Sequence, residues 1–309
     1  MSSTQPIHGA LSALDDAPVW LNSEPLTAEG LRRRAVLVDF WTYSCVNWLR
    51  TLPYLRAWHE TYGSRGLVVV GVHAPEFGFE HDLDNVRSAT SELGVCYPVV
   101  IDNDFTIWRS FENHYWPAVY LVDGEGRLRF HHFGEGAYKE TERAIQRLLG
   151  VDGETVRVNT GGLAEAADWD TLKSPETYVG YARGERRSGD QRADALALND
   201  WALAGEWSVG EEAAVLDTVG GSIGYRFQAR DLNLVLAPPA SGAPVRFVVR
   251  LDGQPPGDTH GLDVDESGEG TVSEPRMYQL VRQRGGVAQS DFEITFLDPG
   301  VGAYVFTFG

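Results

Sequence analysis

A chain of 309 residues with 43% hydrophobic and 11% aromatic content is long enough for about two packed domains. Its formal net charge of −18 argues against nucleic acid or an anionic membrane surface as partner, since both need basic surface. Two cysteines, Cys45 and Cys96, exclude a disulfide-stapled scaffold and a multi-cysteine zinc site.

Residues 1–30 read as an irregular lead-in. Met1 to His8 show no basic start and no apolar stretch of signal-peptide length, so the sequence by itself points to the cytoplasm. No apolar run is long enough to span a bilayer. From Ala35 the pattern alternates. Ala35–Trp41 reads as a buried strand and Val46–Tyr62 as a helix with Leu49, Leu52, Leu55 and Trp58 on its apolar positions. Leu67–His73 follows as a strand, Leu83–Leu93 as an amphipathic helix, Tyr97–Ile101 as a strand and Phe105–Phe111 as a short helix. Ala118–Val122 and Leu128–His132 form a hairpin whose turn is signalled by Asp123-Gly124. Thr141–Leu149 closes the series and Gly150 stops it. This alternation predicts an α/β sheet covered on both faces over residues 1–152.

After Gly150 the composition changes. Residues 153–200, rich in Gly, Asp, Glu and Arg, read as a connector draped over the surface, because its aromatic residues need packing. From Trp201 to Gly309 short runs recur between turn residues: Ala213–Val219, Ile223–Ala229, Leu232–Ala237, Val245–Leu251, Met277–Gln283, Phe292–Leu297 and Gly302–Phe308. Many short, evenly spaced strands predict an all-β sandwich, a jelly roll in the first instance.

The chemistry concentrates in Val38-Asp39-Phe40-Trp41-Thr42-Tyr43-Ser44-Cys45. An apolar strand ends in a thiol that opens a helix, where unpaired N–H groups and the macrodipole favour the thiolate nucleophile. The segment resembles the active site of the thioredoxin superfamily, where a strand ending Val-Asp-Phe-Trp leads to Cys-x-x-Cys. By that resemblance Asp39 is the buried proton-relaying acid, Trp41 the tryptophan beside the site and Pro53 the proline of the first helix. Trp116-Pro117 matches the cis-proline loop. The similarity is to the DipZ-type and TlpA-like subgroup, carried by Phe40 to Cys45, His73-Ala74-Pro75-Glu76-Phe77, Tyr97 to Asp104 and Gly134-Glu135-Gly136. It implies an α/β thioredoxin fold followed by an all-β jelly-roll sandwich similar to carbohydrate-binding modules. It also implies work outside the cytoplasm, and it extends over nearly the whole chain. One departure stands out: Trp48 occupies the position where the group usually has its second cysteine.

With one sulfur, Cys45 would attack a disulfide or a peroxide and need a resolving thiol. Cys96 is one source, with a small buried core residue as its structural reading; a low-molecular-weight thiol or a partner cysteine is the other. Thr42-Tyr43-Ser44-Cys45 also matches the Thr-x-x-Cys half of the peroxiredoxin signature, although Val38 stands where that signature opens with proline. Catalytic roles are therefore expected for Cys45, Cys96, Pro117, Asp39 and Thr42, and a substrate groove from Trp41, Trp48, Trp116, His73 and Glu76. His73 and Glu76 read equally as polar loop residues. No cofactor is implied, and the eight histidines show no metal spacing. Asp263, Asp265, Ser267 and Glu274 fit a calcium loop on paper, but strand-like flanks replace the helices that motif needs. Trp201 and Trp207, at the entry to the sandwich, read as anchors for the connector, with sugar stacking as the alternative. The competing functional reading is a non-catalytic protein that binds a glycan or protein through the sandwich, with the Trp48 indole blocking Cys45.

Overall fold

The structure is a computed structural model that describes residues 10–188 and 196–309. The first nine residues of the expected lead-in and residues 189–195 of the expected connector lie outside the described residues. The chain divides into two compact units, Met1–Glu165 and Ala166–Gly309.

The first unit is built on a six-stranded mixed sheet. Its strands are β1 (Trp20–Leu21), β2 (Ala35–Trp41), β3 (Leu67–His73), β4 (Val99–Ile101), β5 (Ala118–Val122) and β6 (Leu128–Phe133), in the order β1-β4-β3-β2-β5-β6. β2, β3 and β4 run parallel, and β5 and β6 are antiparallel. All seven residues of β2 are buried, as expected of a central strand covered on both faces. Helices α1 (Val46–Tyr62), α2 (Leu83–Glu92), α3 (Thr106–Ser110) and α4 (Tyr138–Leu149) connect or close the strands. Sequence boundaries for β2, β3 and α1 coincide with the observed ones. α4 starts one turn earlier than its apolar pattern suggests and ends, as expected, at Gly150 in the left-handed conformation (φ 65°). The register sets the level of every residue at the site: Trp41 pairs with His73 and His73 with Ile101. On the returning strand, Ala118 pairs with Phe40. The carboxyl ends of β2, β3 and β4 and the start of β5 therefore share one edge, where open α/β sheets place their sites.

The named strands of the second unit all pair antiparallel. Its strands are β7 (Thr177–Tyr178), β8 (Trp201–Ala204), β9 (Trp207–Val209), β10 (Ala214–Leu216), β11 (Ser222–Gln228), β12 (Asp231–Ala237), β13 (Val245–Leu251), β14 (Glu269–Val272), β15 (Arg276–Arg282), β16 (Gln289–Phe296) and β17 (Gly302–Phe308). One sheet runs β15-β12-β17-β10-β9, with β7 added to β17; the other runs β14-β13-β16-β11-β8. Both contribute to one hydrophobic core that includes Leu234, Tyr278 and Phe306 from the first and Tyr225, Phe247 and Phe292 from the second. The Tyr225 and Phe306 rings meet across it at 5.0 Å. Trp201 is buried and donates its indole N–H to the Glu185 carbonyl (2.7 Å), so it anchors the residues before it. Sequence reading missed β1, β7, β8, β9 and β14, all of four residues or fewer, too short for alternation to register.

The calcium-loop pattern dissolves on inspection. β14 lies inside the twelve-residue span. The Asp263 carboxylate is taken by Arg276 (2.7 Å) and by the Gln279 N–H (2.8 Å). Asp265 closes its own turn by accepting from Ser267 and Glu269. Among the described residues no three His, Cys, Asp or Glu side chains are grouped to hold a metal ion, and no helix is long and apolar enough to cross a membrane.

Candidate redox site

Thr42 to Ser44 turn the chain from β2 into α1. The Cys45 N–H closes this turn onto the Thr42 carbonyl (3.3 Å), and the Cys45 carbonyl accepts the first helical bond from Leu49 (3.0 Å). Cys45 is thus the N-cap, with extended backbone (φ −77°, ψ 112°). Its side chain sits at the positive end of a seventeen-residue helix. It is half-buried and free of any disulfide, as is the exposed Cys96.

Trp48 follows one turn later, on the helix face it shares with Leu52 and Leu55. That face turns inward. Trp48 is fully buried, its ring stacked on Trp41 (centroids 4.1 Å, planes at 21°) and its indole N–H donated to Asp39 Oδ2 (2.9 Å). Asp39 is also completely buried, and its Oδ1 has no hydrogen-bond partner. Burial pushes its carboxyl up to about 7, opposed in part by the Trp48 bond. The indole is therefore directed into the core, while Cys45 keeps partial exposure.

His73 ends β3 but points into the interior. It is buried between the edge of Trp41 (4.9 Å) and the face of Tyr43 (5.8 Å). Burial pulls its imidazole down to about 3, so it is neutral throughout the physiological range. Beyond it, the Glu76 and Phe77 N–H groups and the Ser44 hydroxyl all donate to the buried carboxylate of Glu80. Pro117 follows Trp116 through a cis peptide bond and leads into β5 at the same sheet edge. The Trp116 indole N–H is donated to the Ala74 carbonyl (3.0 Å), fixing this loop against the end of β3.

The family described as thioredoxin like C-terminal domain matches residues 174–309. Protein DipZ of Mycobacterium tuberculosis (strain CDC 1551 / Oshkosh) is 34% identical over 251 residues, covering 76% of this chain and 35% of that protein. Thiol-disulfide oxidoreductase YkuV of Bacillus subtilis (strain 168) is 29% identical over 130 residues, covering 42% of this chain and 87% of that protein. The chain is similar to thioredoxin-like proteins. It spans about a third of the length of the first curated relatives that it matches. A solved structure titled "Solution Structure of a Thioredoxin-like Protein in the Oxidized Form" is 29% identical, covers 49% of this chain and 100% of its own, and has a TM-score of 0.42.

Within the thioredoxin-like unit, several expected roles need correction. Trp41, Trp48 and His73, expected to line a substrate groove, are all fully buried; Trp116 and Glu76 are half-buried. Cys96 precedes β4, at the sheet edge opposite Cys45. Ile101 lies level with Trp41, and Cys96 is upstream of Val99 while Cys45 is beyond Trp41. At a strand rise of about 3.3 Å per residue this separates them by on the order of 10 Å or more, outside the roughly 7 Å limit between disulfide α-carbons. The buried-core reading of Cys96 fails too, because it is exposed. Thr42 is buried, with its hydroxyl beside Glu80 rather than open to a substrate. Sequence reasoning missed Glu80 and the buried Arg50–Glu135 ion pair (2.8 Å). The signal for Glu80 was its place three residues after Phe77 in a short polar turn, but nothing local said that its carboxylate would be buried.

Proposed function

We propose that the chain is a thiol-dependent redox protein in which Cys45 is the attacking sulfur and acts on disulfides or peroxides. The observation that carries this reading is the division of labour in the first turn of α1: Cys45 stays half-exposed at the helix N-cap while Trp48 turns inward to Asp39. An indole seated there replaces the second sulfur without capping the first. Electrons flow as in any thiolate exchange: the Cys45 thiolate attacks one sulfur of a disulfide, forms a mixed disulfide and expels the other as a thiolate. With peroxide it takes oxygen, becomes a sulfenic acid and releases water. Because Cys96 lies at the opposite edge, resolution comes from a low-molecular-weight thiol or a cysteine of the partner. Pro117 shapes the docking edge and Asp39 lies beneath the thiol as the proton-holding group. The names of the relatives that cover this unit, including a thiol-disulfide oxidoreductase, support the same class.

The finer assignments rest on lesser support. The change from α/β to all-β structure supports two domains, but the expected connector of residues 153–200 is divided between the two compact units and supplies β7 to the second. Two face-to-face antiparallel sheets support a jelly-roll sandwich of the carbohydrate-binding-module kind, with a glycan or protein as its ligand. An extracytoplasmic setting, where protein disulfides persist, is supported by the DipZ-type resemblance.

The deciding measurement is the pH dependence of Cys45 alkylation in a Cys96→Ser background, beside a Cys45→Ser control. A thiolate that titrates below the ordinary cysteine value of about 8.5 is expected. A thiol of ordinary or lower reactivity transfers the weight to a binding protein, whose sandwich a glycan array then tests.

A further inference from the structure

Glu80 sits in the short 3-10 turn Gly78–His81 that follows the loop after β3, and it is completely buried. Three donors from two separate segments converge on it. Oε1 accepts the Ser44 hydroxyl at 2.6 Å; Oε2 accepts the N–H groups of Glu76 at 2.6 Å and Phe77 at 3.0 Å. Among the described residues it has no cationic partner. A buried carboxylate is costly, and without a cation it persists only where donors replace the lost water. The cost is offset here by tying together the turn before Cys45 and the loop at the end of β3.

We propose that Glu80 is a positioning residue for Cys45, latching the turn that carries Ser44 onto the loop after β3 and reversing the Ser44–Glu80 hydrogen bond when it takes up a proton. In the ionised form Ser44 donates to Oε1. When Oε1 binds one proton from solvent, that new O–H donates to Ser44 Oγ, and both backbone bonds to Oε2 remain. The Ser44 hydrogen is then released to donate elsewhere in the turn, next to Cys45. Removing the carboxylate charge and freeing a donor both favour a thiolate at Cys45. The inference rests on reading Cys45 as a reactive thiol.

The proton has reason to arrive near neutrality. Burial pushes the Glu80 carboxyl up to about 7, with the Ser44 and Thr42 hydroxyls opposing and the Glu76 charge assisting. The groups facing it are these two hydroxyls from the active-site turn, and Glu76 from its own loop. His81 and Asp82 follow it in the chain, and the neutral His73 ends β3. Asp39, on β2, titrates in the same range from beneath Trp48, so it needs its own control.

The test is the alkylation rate of Cys45 with iodoacetamide across the acid-to-alkaline range, on the full chain with Cys96→Ser throughout. Glu80→Gln copies the protonated latch: its carbonyl accepts both N–H groups and its amide donates to Ser44. The expected result is a thiol midpoint moved to lower pH, with a several-fold faster reaction at neutrality. The shift should persist in full in an Asp39→Asn background and shrink in a Ser44→Ala background, where only the loss of charge remains. Superimposable Glu80→Gln and wild-type profiles overturn the proposal. So does an equal shift with Ser44→Ala present, which would make the effect plain charge rather than a latch. Should Glu80→Gln not fold, Ser44→Ala alone must move the midpoint, and an unmoved one overturns it. Failure of the redox reading is distinct: there the wild-type thiol itself titrates as an ordinary cysteine.

Discussion

At the residue scale, the Asp39–Trp48 pair governs the site. Burial raises the Asp39 carboxyl from 3.8 to about 7, so the folded chain holds a proton that the unfolded chain has lost across that interval. The Asp39 contribution to stability must then fall as pH rises from about 4 to about 7 and level off above it, with Glu80 acting in the same direction and buried neutral His73 in the opposite one. Asp39→Asn should remove that slope, losing its disadvantage and gaining on wild type by up to about 4 kcal/mol at alkaline pH, less the cost of any unpaired amide hydrogen. Urea titrations of both proteins on either side of neutrality check this, and parallel pH profiles would refute it. Trp48→Cys makes the complementary test. It deletes a fully buried indole stacked on Trp41, so a loss of about 3–5 kcal/mol is expected. It also restores the dithiol spacing above Asp39, and turbidity assays of insulin reduction should show activity that the parent lacks.

At the scale of elements, the second turn of α1 is tied to the segment before α4. Arg50 and Glu135 pair at 2.8 Å with side chains 3% and 8% exposed, and burial raises the Glu135 carboxyl despite the Arg50 charge. Arg50→Met should cost about 3–5 kcal/mol by stranding that carboxylate. Adding Glu135→Leu should recover a large part of the loss, which a double-mutant cycle measures. This pair also marks where sequence reasoning stops. β2, β3 and α1 were legible because their apolar periods are long and end at Trp41, His73 and Gly63 with turn chemistry behind them. Cys45 and Pro117 were legible from motif. Glu80, Glu135 and the inward turn of Trp48 were not, because burial of a polar side chain depends on segments far apart in the chain: Glu80 meets Ser44 across thirty-six positions and Arg50 meets Glu135 across eighty-five. No local pattern encodes such a meeting. β1 and β7, of two residues each, exist only because a neighbouring strand supplies their hydrogen bonds.

At the scale of the whole molecule, the two units carry separate cores. The cluster running from Val179 to Phe308 draws only on the second unit, and the one from Ala10 to Val122 only on the first. A fragment of residues 166–309 should therefore fold alone. It is expected to give a β-type far-ultraviolet spectrum and a single cooperative melt, and a featureless coil spectrum would contradict this. The second unit also places its last strand in the middle of a sheet: β17 lies between β12 and β10 and bonds to β7, and Gly309 exchanges both backbone bonds with Asp231. During synthesis the pairs β9–β10 and β12–β15 can form before β17 emerges, but only β17 joins them into one sheet. Until then the two halves of that sheet stay apart, so a chain cut before β17 should fail to close this core.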